Sequence, residues 1–309
     1  MSLFLHVLLT ITAPLVVIVL IGWVTQALLS FDVETLKTFQ LNVVLPAFFV
    51  HYLATADLPL LAAWPTSWFT VLQFVVLLAL GWGIARAAGV PAVAVPVAAI
   101  ALAFPNTGNY GVPLATLVFD PQFLLHQAVI VAAQTFLIIT ACELLLSSRR
   151  EAGSGLAGAM MAVVKSPMVW GIVIGLALRG FEAQLPSILA IPTEMIGSTY
   201  AAIALITLGA SLHGTATVIF DRTIQIVVWG KLLLAPAVTW ALAWACGFTG
   251  ENLVFLIIAA STPVGVMLAI FCLADRTESD VASPSVFVST LISPLTITGW
   301  LVALRAIDV

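Results

Sequence analysis

The sequence predicts an all-α membrane protein in which ten transmembrane helices form a 5+5 inverted repeat, with helices 4 and 9 broken midway and crossing. Three observations carry this expectation. Apolar residues make up 62% of the chain and charged residues only 8%, with a mean hydropathy of +1.19. Charged or Pro/Gly-rich breaks recur at about the spacing of one bilayer crossing, and prolines and glycines of the first half return at matched places in the second. An ordinary soluble fold cannot bury so much apolar surface. Apolar residues at every helical phase, rather than on one stripe, belong to helices that face lipid or one another.

A span needs about 20 residues, so the breaks place helices near 4–29, 37–55, 66–87, 93–119, 123–148, 160–180, 193–214, 223–246, 252–274 and 283–306. The first lacks a basic leader and exceeds the ~7–15 residues of a signal-peptide core, which predicts that it is retained. Lys37, Arg86, Arg149, Arg150, Lys165, Arg222 and Arg276 fall on one side, Arg179 and Arg305 on the other, and Lys231 within a span. That asymmetry predicts a multi-pass protein of the inner (plasma) membrane with both termini outside the cytoplasm.

The halves repeat. PLVVIVLIG from Pro14 aligns with PMVWGIVIG from Pro167, a shift of 167 − 14 = 153, while Gly89 with Gly247 and Pro105 with Pro263 are each shifted by 158 (247 − 89; 263 − 105). Five spans separate the members of each pair, and an odd number inverts the second copy, the plan of many secondary transporters. The two repeats are expected over 1–148 and 160–309, joined by a short cytoplasmic linker at 149–159.

AFPNTGNYGVPLA, residues 103–115, sets two prolines, two glycines and two asparagines inside span 4. Pro105 lies about 18 Å into the span, near mid-membrane. It removes a backbone hydrogen bond there, and Gly108 and Gly111 admit backbone conformations that other residues resist. Irregular backbone at this depth is tolerated only inside protein or along a wet cavity. Span 9 repeats the device around Ser261, Thr262, Pro263, Val264 and Gly265. The half-helix N-termini of two such breaks suit an anion and their carbonyl ends suit a cation. The candidate binding residues are therefore Pro105, Asn106, Thr107, Gly108, Asn109, Tyr110 and Gly111 with Ser261 through Gly265.

PNTGNYGVPL resembles the Asn-Thr-Gly…Gly-x-Pro-Leu signature of the auxin efflux carrier family, whose bacterial members include malonate carriers. The likeness continues in NVVLPAFF, KSPMVWGIVIG, LGASL, KLLLAPAV, ASTPVGVM and STLISPLTI, and so covers nearly the whole chain. It implies a fold shared with bile acid and sodium/proton carriers. It also implies a dimerising scaffold of spans 1, 2, 6 and 7, and a transport unit of spans 3–5 and 8–10 that moves as an elevator. The function implied is secondary transport of small organic anions such as malonate or auxin-like weak acids, with Na+ or H+ as the possible coupling ion. The long loop that plant members carry between spans 5 and 6 is replaced here by about a dozen residues.

The family holds substrate carboxylates with polar residues of span 5, which singles out Gln134 and, beside it, Thr135; Asn42 before Pro46 resembles its Asn…Leu-Pro stretch. Ser261, Thr262, Ser293 and Lys231 are the candidates for ion coupling. Lys231, two turns into span 8, can snorkel to the interface or reach a carbonyl at the crossing. A sodium-coupled bile-acid-like symporter and a non-transporting receptor are the alternatives.

Enzyme chemistry is not expected. Ser211 and His213 of GASLHG point to different faces of one helix, and no HExxH, CxxC or phosphate loop is present. The three cysteines lie within apolar spans, which argues against disulfides and metal clusters. No cofactor, bound metal or nucleic-acid partner is predicted; the partners are the anion, the bilayer and a second copy of the chain.

Overall fold

The computed structural model describes residues 3–55, 60–146, 161, 164–214, 221–274 and 279–306. The linker expected over 149–159 lies outside them. Every secondary-structure element among the described residues is helical. In chain order we label α1 (Leu3–Leu29), α2 (residues 33–54), α3 (Trp64–Ala87), α4 (Val95–Ala103), α5 (residues 107–118), α6 (Phe123–Leu145), α7 (Pro167–Gly180), α8 (Ser187–Leu212), α9 (Arg222–Ala245), α10 (Gly250–Ser261), α11 (Val266–Ala274) and α12 (Ser279–Ala306). Six of them, α1, α3, α6, α8, α9 and α12, are long and apolar enough to cross a membrane. Leu28, Trp170, Ile188 and Trp244, more than half exposed, show apolar surface of the kind lipid covers.

Prolines inside long helices are tolerated here by a recurring device. A proline has no N–H and crowds the carbonyl four residues back. Before Pro14, Pro46 and Pro236 the chain widens into a π-turn, at Leu8–Thr12, Gln40–Val44 and Gly230–Leu234. In each, the residue just before the proline reaches five residues back: Ala13 to Leu8, Leu45 to Gln40 and Ala235 to Gly230. A fourth π-turn, Thr107–Gly111, precedes Pro113. Such turns shift side chains off the ordinary helical phase and concentrate at functional sites.

Two helix starts differ from expectation. The spans expected near 193–214 and 283–306 start earlier, α8 at Ser187 and α12 at Ser279, so Pro192 and Pro284 are each the sixth residue of a helix. Each proline forfeits the one bond that the sixth N–H would have made to the second carbonyl, and only the first turn of the helix lies before it to be crowded. Asp32 and Asp221 cap α2 and α9, accepting from Glu34 N–H and from Thr223 and Ile224 N–H. The Thr35 hydroxyl, and after it the Glu34 N–H, hold the Asp32 carboxyl below the usual carboxylate range.

Helix pairing runs through small residues, as it must where lipid removes the hydrophobic drive for association. α1 packs on α8, with Gly22 against the Ile206 backbone and Gly209 against that of Val19. α2 packs on α7, where Cβ atoms added to Gly171 and Gly175 would lie 2.6 Å from Pro46 Cα and 2.8 Å from Phe49 O. α3 pairs with α4 and α6, and α9 pairs with α10 and α12.

The ends of α3 and α9 share one cap. Gly89 and Gly247 are left-handed (φ 74° and 84°), with Val90 N–H bonding Ala85 O and Phe248 N–H bonding Ala243 O, the 6→1 closure of a Schellman motif. Gly89→Ala and Gly247→Ala are each expected to lower stability by about 1 kcal/mol through left-handed strain. The two losses should add, and thermal midpoints of the single and double variants check this.

Candidate functional site

α4 stops at Ala103 and α10 at Ser261, and the chain beyond each is extended: Phe104 has φ −108°, ψ 93° and Thr262 φ −62°, ψ 153°. These stretches lie antiparallel, with a bridge between Pro105 and Val264. Asn106 N–H donates to Pro263 O (2.8 Å) and Gly265 N–H to Phe104 O (3.0 Å), while Ser289 Oγ accepts from Val264 N–H (3.0 Å). The backbone groups freed by one break are thus satisfied largely by the other, which lets irregular chain survive among apolar helices. At the end of α10, Ser261 and Thr262 hydroxyls donate back to Ile258 O (2.8 Å) and Ala259 O (2.9 Å).

A cavity of about 70 Å³ adjoins the bridge. Of the residues singled out from sequence, Pro105, Asn106, Thr107, Gly108, Asn109, Gln134, Thr135 and Gly265 line it. Thr107 Oγ1 donates to Gln134 Oε1 (2.9 Å) and Gln127 Nε2 to Thr107 O (2.7 Å). Gln40 Nε2 donates to Asn109 Oδ1 (2.9 Å). Two lining groups make no hydrogen bond: Asn106 Nδ2, and the Tyr200 hydroxyl, which is directed toward Gln40 without reaching hydrogen-bond geometry. The first N–H groups of α5 and α11, which lack intrahelical acceptors, open where Gly108, Asn109, Val266 and Met267 line the same space. Lys37, at the α2 side, is the one charged lining residue, and no carboxylate lines the cavity among the described residues.

Other expected residues lie elsewhere. Asn42 is exposed and does not line the cavity, because Gln40 and Val44, one helical turn apart, form the inward face of the π-turn. Tyr110, within α5, is buried and does not line the cavity, its hydroxyl directed toward Ser293. Ser261, Thr262, Pro263 and Val264 build the bridge rather than the wall. Ser293 is buried and donates to Thr290 O (3.0 Å). Of the two alternatives for Lys231, the structure gives the carbonyl rather than snorkelling: the residue is fully buried, with Nζ 3.4 Å from Leu102 O in the last turn before the break.

Gly108 and Gly111 are not left-handed, so conformational freedom is not their contribution. A Cβ at Gly111 would come within 2.9 Å of Gln127 Nε2, and one at Gly108 within 3.5 Å of the Tyr200 hydroxyl. Sequence reasoning missed Gln40, Tyr200, Gln127 and Lys37. The available signal was polarity inside apolar segments, which marks Gln40, Gln127 and Tyr200 as much as Gln134.

A larger cavity, about 590 Å³, lies where the starts of α3 and α6 meet the α9–α10 turn, walled by Trp68, Phe123 and Phe248, with Thr66 Oγ1 2.7 Å from His126 Nδ1. Size favours it, but converging unpartnered donors favour the smaller space at the breaks, and chemistry outweighs volume in locating a site.

Residues 156–301 match the family described as membrane transport protein. An uncharacterized transporter of Methanothermobacter thermautotrophicus is 26% identical over 218 residues, 66% of this chain and 67% of that protein. Both similarities are to transporters and neither is to an enzyme.

Proposed function

We propose that the chain is a transporter of the auxin efflux carrier family, a reading that its similarities to transporters support, and that it carries small organic anions across the membrane by alternating access, the anion resting in the cavity at the paired breaks. The observation that carries this reading is the buried, unpartnered donor Asn106 Nδ2, with the Tyr200 hydroxyl that only Gln40 faces, beside two helix N-termini and Lys37. A buried donor without an acceptor costs about 1–3 kcal/mol. A carboxylate accepting from both would recover that, with the helix N-termini adding their own attraction. Gln134, whose carbonyl is engaged by Thr107, has its NH2 to offer as well.

Ten spans in an inverted 5+5 repeat are supported by the pairings. Under that repeat the α1–α8 contact becomes α7–α2, α3–α4 becomes α9–α10 and α3–α6 becomes α9–α12, and all six occur. The equivalent caps at Gly89 and Gly247 support it too. Elevator motion is supported by what surrounds the cavity. Gln40, Leu45, Met168 and Tyr200 come from the proposed scaffold, whereas Phe104 to Asn109, Gln134 and Gly265 come from the proposed moving unit.

Size favours short carboxylates such as malonate. The cavity, about 70 Å³, admits only a few waters and is far below the ~300–1,000 Å³ of pockets for drug-sized ligands. A bile-acid-like substrate therefore fits poorly. A thermal-shift screen of mono- and dicarboxylates on purified protein, followed by counterflow in liposomes, tests the proposal. A ligand that stabilises the protein but shows no counterflow would make it a receptor; no stabilising carboxylate would leave the anion reading without support. Lys37→Ala is expected to weaken carboxylate binding about 3- to 5-fold, the ~1 kcal/mol of a partly exposed charge, read as a higher half-saturation concentration in the same assay.

A further inference from the structure

Among the residues whose side chains the structure describes, Lys231 is the only Lys, Arg, Asp or Glu that is buried, at 0% exposure. It lies in the π-turn Gly230–Leu234, where α9 comes close to α4: a Cβ added at Gly230 would sit 3.1 Å from Leu102 Cδ1. One carbonyl of this turn, Leu232 O, is taken by Trp300 Nε1 of α12 (3.0 Å). The Lys231 Nζ stands 3.4 Å from Leu102 O, long for an ordinary hydrogen bond and suited to a charge facing a dipole. Leu102 belongs to the last turn of α4, whose carbonyls have no intrahelical donor and form the negative end of the helix.

No carboxylate pairs with Lys231 among the described residues. The elements packed on its π-turn are α4, which has no charged residue, the rest of α9 with Arg222, α10 with Glu251, and α12 with Asp280 and Arg305. All four of those charges lie at helix ends. The two carbonyl ends at the breaks are therefore furnished with donors from within the chain: Ser261 and Thr262 at α10, Lys231 at α4.

We propose that the ammonium of Lys231 is a built-in cation at the carbonyl end of α4, standing where a sodium ion would otherwise be drawn, so that the anion site works without sodium. The ammonium also balances the charge of a carboxylate bound at the nearby breaks. This rests on the transport reading above, and the first arm of the test is independent of it.

In that arm the melting of purified protein is compared in sodium chloride, methylammonium chloride and choline chloride at equal ionic strength. Wild type is expected to melt alike in all three. Lys231→Ala is expected to gain about 2–4 °C from sodium or methylammonium over choline, as a cation enters the vacated place. Sodium stabilisation of wild type, or a folded Lys231→Ala indifferent to both cations, overturns the proposal. Lys231→Met is the second variant, near-conserving in shape, and removal of a buried charge in favour of an apolar group is often neutral or stabilising. Its melting is expected not to fall, while carboxylate counterflow in sodium-free buffer falls at least 10-fold. A lowered midpoint with counterflow retained would make the lysine merely structural and equally end the idea. Absence of counterflow in wild type would sink the transport reading and leave the built-in cation to be judged by the melting arm.

Discussion

Asn106→Ala is expected to abolish carboxylate uptake while leaving the protein folded. The residue's structural duties are carried by its backbone: N–H to Pro263 O across the bridge, and a carbonyl accepting from Tyr110 and Gly111 N–H at the start of α5. Alanine keeps both. What alanine removes is Nδ2, a buried donor at a side chain 5% exposed that has no partner. A hydrogen bond to a charged acceptor contributes about 1.5–3 kcal/mol, or roughly 10- to 150-fold in affinity. Without ligand, the variant's midpoint should equal or exceed that of wild type, because an unsatisfied buried amide is gone. With ligand, the wild-type shift should vanish. Normal uptake by a well-folded Asn106→Ala protein would remove this residue from the site.

Sequence made the breaks visible because a proline inside twenty apolar residues has few structural readings, and because Pro105 and Pro263 recur at one offset as Gly89 and Gly247 do. The depth of each break followed from rise per residue alone. Side-chain direction was harder. Asn42 looked like the inward polar residue of span 2, but the π-turn at Gln40–Val44 departs from the 3.6-residue phase and turns Gln40 inward instead. Lys231 left two directions open, since counted along an ideal helix it can snorkel or reach a carbonyl, and its π-turn turns it toward the α4 carbonyl. Tyr200 was hidden for another reason. It lies on α8, outside the motifs around the breaks, and only tertiary packing brings its hydroxyl to within 3.5 Å of where a Gly108 Cβ would sit. Pro192 and Pro284 misled in the opposite sense, since a proline near a helix start need not be a boundary.

Loss of binding and stability together is expected at Gly265. Its N–H is fixed to Phe104 O at 3.0 Å, and a Cβ there would overlap ring carbons of the same Phe104. Phe104 yields only at a cost to the site, because its backbone is bonded to Gly265 and the open space beside it is the cavity. In Gly265→Ala either the ring moves into a space of about 70 Å³ and fills part of it, or the two extended stretches separate and lose their reciprocal bonds. Overpacking of this kind costs about 1–3 kcal/mol, so a midpoint lower by several degrees together with loss of carboxylate binding is expected. Gly83→Ala is the matched control: it lies inside α3 with no atom near an added Cβ, where alanine favours the helix, and it should bind and melt at least as well as wild type. The contrast with Asn106→Ala separates chemistry from architecture, since one variant loses binding alone and the other loses binding and stability together. A Gly265→Ala protein that binds and melts like wild type would mean that the two breaks do not meet at Phe104 and Gly265, and the anion site built on that meeting would go with them.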